Sequence, residues 1–141
     1  MVGHKLIRDE KGAAVIEMAF VLPILIVMIW AFVQLAQIYR ALAGIQQALG
    51  QGARYATLCL NPSSLGCASP TPAQVKTNIE QSVYGLGPGT FSTPVPTTGT
   101  SGTSNYYDLK VTYTQPTNLL LFPGPTITMT RSKRVWIAAT S

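Results

Sequence analysis

A long apolar segment near the N-terminus constrains this chain more than any other feature. From Gly12 to Tyr39 the only charged residue is Glu17, and between Met18 and Val33 every residue is apolar apart from Pro23. About 20 apolar residues, at a helical rise of ~1.5 Å each, cover the ~30 Å hydrocarbon core of a bilayer. The segment therefore predicts a membrane-spanning helix over about residues 14–37.

A buried core helix and a secretory signal peptide both fit this apolar segment less well. The core helix of a soluble protein is covered on all sides, and the rest of this chain offers too little apolar surface to surround one. A secretory signal peptide has an apolar stretch of about 7–15 residues followed by a small-residue cleavage site. This segment is longer than that, so a retained membrane helix is the preferred interpretation.

The helical pattern continues beyond the apolar segment. Apolar or small residues recur at spacings of three and four with no intervening Pro, which predicts one helix over residues 13–58 with an amphipathic continuation over 38–58. Small residues allow another backbone to approach this continuation closely. That backbone can belong to the chain's own head or to a neighbouring subunit. The predicted stripe comprises Leu35, Ile38, Leu42, Ile45, Leu49, Gly52 and Ala56.

The distribution of basic residues predicts the orientation of the helix in the membrane. The chain has a formal charge of +5, and Lys5, Arg8 and Lys11 precede the apolar segment, whereas Arg40 and Arg54 follow it. Basic residues are enriched on the cytoplasmic side of membrane helices. We therefore expect a cytoplasmic N-terminus and an exported C-terminal region in a single-pass protein.

The two cysteines follow the predicted helix. Cys59 and Cys67 have seven residues between them. In an oxidising compartment outside the cytoplasm such a pair can form a disulfide, although two free thiols remain the alternative. No His or further Cys follows to complete a zinc site, so no metal site is predicted.

The exported region, residues 59–141, is rich in Ser, Thr, Pro and Gly and predicts a small head. Pro72–Val83 has helical spacing of its apolar residues and a Pro at its start, which predicts a short helix. Residues 85–105 are of low complexity and predict a loop.

Two segments of the head alternate apolar and polar residues. Tyr107–Thr114 predicts a half-buried strand, and Thr126–Ala138 predicts a second strand that pairs with it. An apolar loop closed by Pro residues, QPTNLLLFPGP at 115–125, separates them. The predicted fold class is α+β: a long transmembrane and amphipathic helix, then a head with a short helix and two or three antiparallel strands.

Few residues in this chain can perform catalysis. The only His is His4, which precedes the membrane segment, and the predicted head has only Glu80 and Asp108 as acids. Neither acid stands in a recognisable motif. The sequence therefore predicts no enzyme and no cofactor.

Glu17 is the unexpected residue, because an ionisable side chain in a membrane helix costs a few kcal/mol and usually marks a function or a partner. It lies five residues after Gly12 in the string KGAAVIEMAF. This string resembles the class III signal of type IV-like prepilins, which a membrane peptidase cuts after the Gly. The resemblance implies cleavage between Gly12 and Ala13, with loss of residues 1–12 as a cytoplasmic leader.

The resemblance narrows to the TadE/TadF-like pseudopilins, the minor pilins of the tight-adherence (Flp) pilus system. The matching pieces are RDEKGAAVIEMAFVLPILI at 8–26, GQGARYATLC at 50–59, and two C-terminal strands divided by an apolar loop. Membership implies a structural subunit in the bacterial inner membrane that takes part in assembling an adhesive pilus. It also implies a prepilin peptidase, other pilin subunits, the assembly platform and membrane lipid as partners, and no nucleic acid.

The resemblance also implies roles for individual residues. The Ala13 amine of a processed chain can pair with the Glu17 carboxylate of an adjacent subunit, so that each charge finds its partner on assembly. Pro23 removes a backbone donor within the helix, and it is predicted to affect helix packing together with Gly44 and Gly52.

Two other classes of function remain as alternatives. An uncleaved, signal-anchored periplasmic binding module would keep the same helix and use the Thr/Gly-rich loop with Tyr106, Tyr107 and Tyr113 as its contact surface. Nucleic-acid binding would use Arg131, Lys133 and Arg134, but basic residues on a strand more often protect a solvated edge from aggregation.

Overall fold

A computed structural model describes residues 10–59, 68–83 and 85–137, without the side chains of residues 10 and 11. Two helices and a four-stranded antiparallel sheet make up this part of the chain, which confirms the predicted α+β class. The sheet has more strands than the two or three expected. In chain order the elements are α1 (Glu10–Ala56), α2 (Pro72–Val83), β1 (Thr90–Ser92), β2 (Thr97–Ser101), β3 (Ser104–Asn118) and β4 (Pro123–Ile137).

Helix α1 is continuous over 47 residues and runs through Pro23. It ends where Thr57 donates its backbone N–H to the carbonyls of Ala53 and Arg54. The positive charge of Arg54 in the last turn also suits the negative end of the helix dipole.

The two halves of α1 have different surroundings. Between Gly12 and Val33 no side chain is buried, whereas the half from Gln34 to Ala56 packs against the head. Part of the predicted stripe is buried, but Leu35 is exposed. The buried face consists largely of small residues; its apolar members are Ile38, Ala41, Ile45, Ala48, Leu49, Ala53 and Ala56.

Helix α2 has the bounds that its sequence predicted. It begins with a capping box in which the Thr71 N–H donates to the Gln74 side chain at 2.9 Å and the Gln74 N–H donates to the Thr71 hydroxyl at 3.4 Å. Its three periodic apolar residues, Val75, Ile79 and Val83, are all buried. They pack against α1 in the core of the head.

Strand β3 is the centre of the sheet. Its side chains alternate as predicted, with Tyr107, Leu109, Val111 and Tyr113 buried on one face. Strand β4 pairs with β3 along almost its whole length, as the sequence also predicted. Both strands extend beyond their predicted bounds and leave only residues 119–122 as the turn; Ala138 lies outside the described residues.

The prediction of a loop over residues 85–105 was wrong in part. Strands β1 and β2 lie within it and pair one after the other with the edge of β3 opposite β4. They are short and consist mainly of Thr, Ser and Gly, so they carry no apolar alternation. Backbone pairing with β3 defines both strands, and the Phe91 ring of β1 also packs on Tyr113.

Candidate functional site

The predicted processing site lies near the N-terminal end of the described part of α1. Gly12 and Ala13 are helical and exposed, and a Cβ at Gly12 would meet no atom within 4 Å. Gly within a helix lowers its stability by about 1 kcal/mol relative to Ala. The helix is therefore locally less stable with Gly at position 12 than it would be with Ala there.

Glu17 lies further along the same exposed half of α1. Its neighbours Ile16, Met18 and Phe20 are all exposed apolar side chains. Among the described residues, no cation forms an ion pair with Glu17. An ionised carboxylate is acceptor-only and is costly to bury without a cation or hydrogen-bond donors. Among the described residues, Glu17 is thus an acidic side chain without an ion pair on an apolar surface.

Gly44 and Gly52 both face the head. A Cβ at Gly44 would overlap the side chain of Leu86, and a Cβ at Gly52 would overlap that of Ile79. The sequence left open whether small residues approach the chain's own head or a neighbouring subunit. For these two glycines the structure shows contact with the head, whereas Ala36 and Ala43 are exposed on other sides of α1.

Cys59 lies three residues after the end of α1 and is buried. It is not a free thiol. Cys67, its predicted partner, lies outside the described residues, so the pairing of these two cysteines stays a prediction.

A contact between the end of β3 and α1 was missed by sequence reasoning. The Trp30 indole N–H donates to the Asn118 carbonyl at 2.7 Å, and the side-chain amide of Gln34 donates to the same oxygen. In return, the Asn118 N–H donates to the Gln34 side-chain oxygen at 3.1 Å. We call residues 12–33 of α1 its bare half and residues 34–56 its packed half. These bonds join the end of β3 to the boundary between the two halves. We call this contact the clasp.

The two acids of the head form ion pairs that do not resemble a catalytic site. Arg134 makes a bidentate pair with Asp108, with N–O distances of 2.8 and 2.9 Å, and lies 4.1 Å from the centre of the Tyr106 ring. The hydrogen bond from Arg134 lowers the pKa of Asp108. Glu80 instead pairs with Lys76 at 2.8 Å. The two acids of the head are thus each engaged with a separate cation.

The structure also bears on the two alternative contact surfaces. Arg131 and Lys133 lie opposite Val111 and Leu109, so they share one face of the sheet, whereas Arg134 lies on the other. The three basic residues therefore do not form a single surface.

Two of the three tyrosines proposed as a binding surface are buried. The Tyr107 hydroxyl donates to the Pro70 carbonyl, and the Tyr113 hydroxyl donates to the Gln115 side chain. Both rings therefore serve the core of the head. Within the described ranges, no group of three or more His, Cys, Asp or Glu side chains could hold a metal ion.

A comparison with known protein families finds a match within helix α1. Residues 12–54 match the model of the TadE-like protein family. This match confirms the resemblance drawn from the sequence over the segment that contains Gly12, Glu17, Pro23, Gly44 and Gly52. No curated protein and no solved structure matches the chain.

Proposed function

We propose that this chain is a structural minor pilin or pseudopilin of a tight-adherence pilus. The observation that carries the proposal is Glu17, an acid that makes no ion pair with a described cation, on the bare apolar half of α1 within the segment that matches the TadE-like family. On this proposal the protein is not an enzyme. It contributes an apolar helix and a folded head to an assembly that serves surface adhesion.

The bare half of α1 supports a membrane anchor. Leaving a large apolar side chain in water instead of burying it costs about 1.5–3 kcal/mol, and this half exposes many of them. The helix is long and apolar enough to cross a bilayer. We place it in the bacterial inner membrane, with its N-terminus cytoplasmic and its head periplasmic or extracellular.

Processing and assembly are linked through charge. Cleavage between Gly12 and Ala13 would remove the leader, residues 1–12, and would create a new amine four residues before Glu17. In an apolar assembly this amine pairs with the carboxylate of a neighbouring subunit, because either charge buried alone is strongly destabilising. The partners are a prepilin peptidase, other pilin subunits, the inner-membrane assembly platform and membrane lipid.

Replacement of the glycine at the cleavage site tests the processing step. We expect Gly12→Leu to leave membrane insertion intact and to block cleavage, since a bulky side chain would replace the hydrogen of Gly in the peptidase cleft. Gly50→Leu is a matched control, because Gly50 is also helical and a Cβ there meets no atom within 4 Å. The gel mobility of each variant is compared in cells with and without the peptidase. Normal processing of Gly12→Leu would contradict the proposal.

A further inference from the structure

The turn between β3 and β4 is apolar and exposed. Its four residues, Leu119–Phe122, have exposed fractions that range from 38% at Leu119 to 69% at Phe122. Leu120 adopts a φ of 68°, a left-handed conformation that costs a residue with a Cβ about 1–2 kcal/mol. Gly or Asn would adopt this conformation more easily, and neither would expose a large apolar side chain to water. Neither core packing nor turn geometry therefore explains why the turn consists of Leu and Phe.

The turn lies at the level where the apolar segment of α1 ends. Strand β3 runs beside α1 from Leu109, which lies near Gly52, to Asn118, which bonds to Gln34. Nine residues of strand rise about 30 Å, and the eighteen helical residues between Gly52 and Gln34 rise about 27 Å. The strand and the helix therefore cover similar distances along the same direction, and the turn beyond Asn118 lies at the same level as Trp30.

Three of the four backbone N–H groups of the turn, and the N–H of Asn118 before it, are hydrogen-bonded within the protein. The N–H groups of four consecutive residues, 118–121, are all hydrogen-bonded. Their acceptors are the Gln34 side chain, the Phe122 carbonyl, the Asn118 side chain and the Leu119 carbonyl, in that order. The clasp also supplies two donors to the Asn118 carbonyl. Unbonded backbone groups cost several kcal/mol each in hydrocarbon.

Charge is excluded from the same end of the hairpin. Between Lys110 and Arg131 the sequence has no charged residue. Arg131 pairs with Val111, which is seven residues along β3 from Asn118 and therefore about 23 Å away. The hairpin thus has an uncharged end beside the bare half of α1 and a charged end far from that half.

We infer that the turn at residues 119–122 inserts into the outer leaflet of the bilayer that α1 crosses, so that the head contacts lipid at a second point. Lipid is the occupant because the apolar side chains lie at the depth of Trp30, an aromatic residue typical of the membrane interface. The inference rests on the membrane-anchor part of the proposed function and not on its pilus part. The insertion orients the sheet relative to the membrane before assembly.

Photocrosslinking of the full chain in liposomes tests the insertion. The photoreactive amino acid p-benzoylphenylalanine replaces Leu121 in vesicles of phosphatidylethanolamine and phosphatidylglycerol, and lipid adducts are measured by mass spectrometry. Val95 is the matched control: it is an exposed apolar side chain, 55% accessible, at the level of Asp108 and Leu109. Phe20, in the bare half of α1, is the positive control for the anchor.

We expect lipid adducts at positions 20 and 121 and only background at position 95. Adducts at position 20 with background at 121 would overturn the insertion and leave the anchor standing. Crosslinks from position 121 to a second copy of the chain in place of lipid would overturn it as well. Background at position 20 would refute the anchor itself, and the insertion would fall with it. Protease resistance of the head in each variant confirms folding.

Discussion

The two halves of α1 share one continuous helical backbone and differ in what covers them. From Gly12 to Val33 the side chains are mostly large and face outward on every side, whereas from Gln34 to Ala56 small residues bring α2 and the sheet close. A helix that is apolar all round belongs in lipid or a large core, and a helix with one apolar face packs on its own domain. Among the described residues, the head covers the second half and contacts the first half at Trp30, and we propose that partners from outside the chain cover the rest of the first half.

The largest effect is expected from the acid in the bare half. We predict that Glu17→Ala is inserted and cleaved but is lost from the pilus complex, because the neighbouring amine loses its counter-charge. Glu80→Ala is the control, since Glu80 is a helical Glu whose exposed pair with Lys76 contributes at most about 1 kcal/mol. Co-purification with pilus subunits measures the effect. Wild-type recovery of Glu17→Ala would show that the bare half needs no charged partner from a neighbouring subunit.

A substitution in the packed half should act on folding instead. Gly52→Leu would place a side chain where Ile79 lies and should lower the free energy of unfolding of the head by about 1–3 kcal/mol or more. Membrane insertion should not change. Gly50→Leu again provides the control, because its position is open. Denaturant unfolding of the solubilised protein compares the two; equal stabilities would mean that the head does not depend on close contact with α1.

The end of the packed half is predicted to carry a disulfide between Cys59 and Cys67. A bridge that closes a loop of about nine residues stabilises a fold by roughly 2–3 kcal/mol. Because cytoplasmic reductants keep thiols free, the bridge also reports the orientation of the head. Alkylation of unreduced protein from intact cells should leave both cysteines unmodified. Modification of both would argue against the bridge and against an exported head.

The smallest effect concerns the charged end of the hairpin. The pKa of Asp108 is lowered by its hydrogen bond with Arg134, so this pair stabilises the head above the ordinary pKa of 3.8. The contribution is lost as the pH falls through the lower pKa of the folded state. Asp108→Asn should therefore be slightly less stable than wild type at neutral pH and equal to it in strong acid. A stability difference between Asp108→Asn and wild type that grows toward low pH would contradict the lowered pKa of Asp108.

The spacing of apolar residues predicted those helices and strands that bury one face in the core. Helix α2 and the pairing of β3 with β4 followed from apolar spacing, and α1 followed from its length and composition. Strands β1 and β2 could not be predicted in this way, because Phe91 is the single large apolar side chain in them and the other residues are Thr, Ser and Gly without apolar alternation. An exposed Thr/Gly segment has the same composition whether it is a loop or an edge strand.

The sequence predicted those parts of the candidate site whose residues lie close together in the chain. The spacing of Gly12 and Glu17 is a short-range pattern, and the family match covers both. The clasp joins Gln34 to Asn118, which are 84 residues apart. One long-range pair of amides leaves no periodic signal, so it becomes visible only when β3 is laid along α1.

The N-terminus of the protein recovered from membranes tests the central claim most directly. We propose that the bare half of α1 is exposed to a membrane peptidase and later to neighbouring subunits, with its new amine at Ala13. Intact-mass and N-terminal peptide measurements on the wild-type protein, purified with and without the peptidase, should show a chain that begins at Ala13 only when the enzyme is present. A chain that retains residues 1–12 in peptidase-positive cells would contradict this proposal and favour an uncleaved membrane anchor.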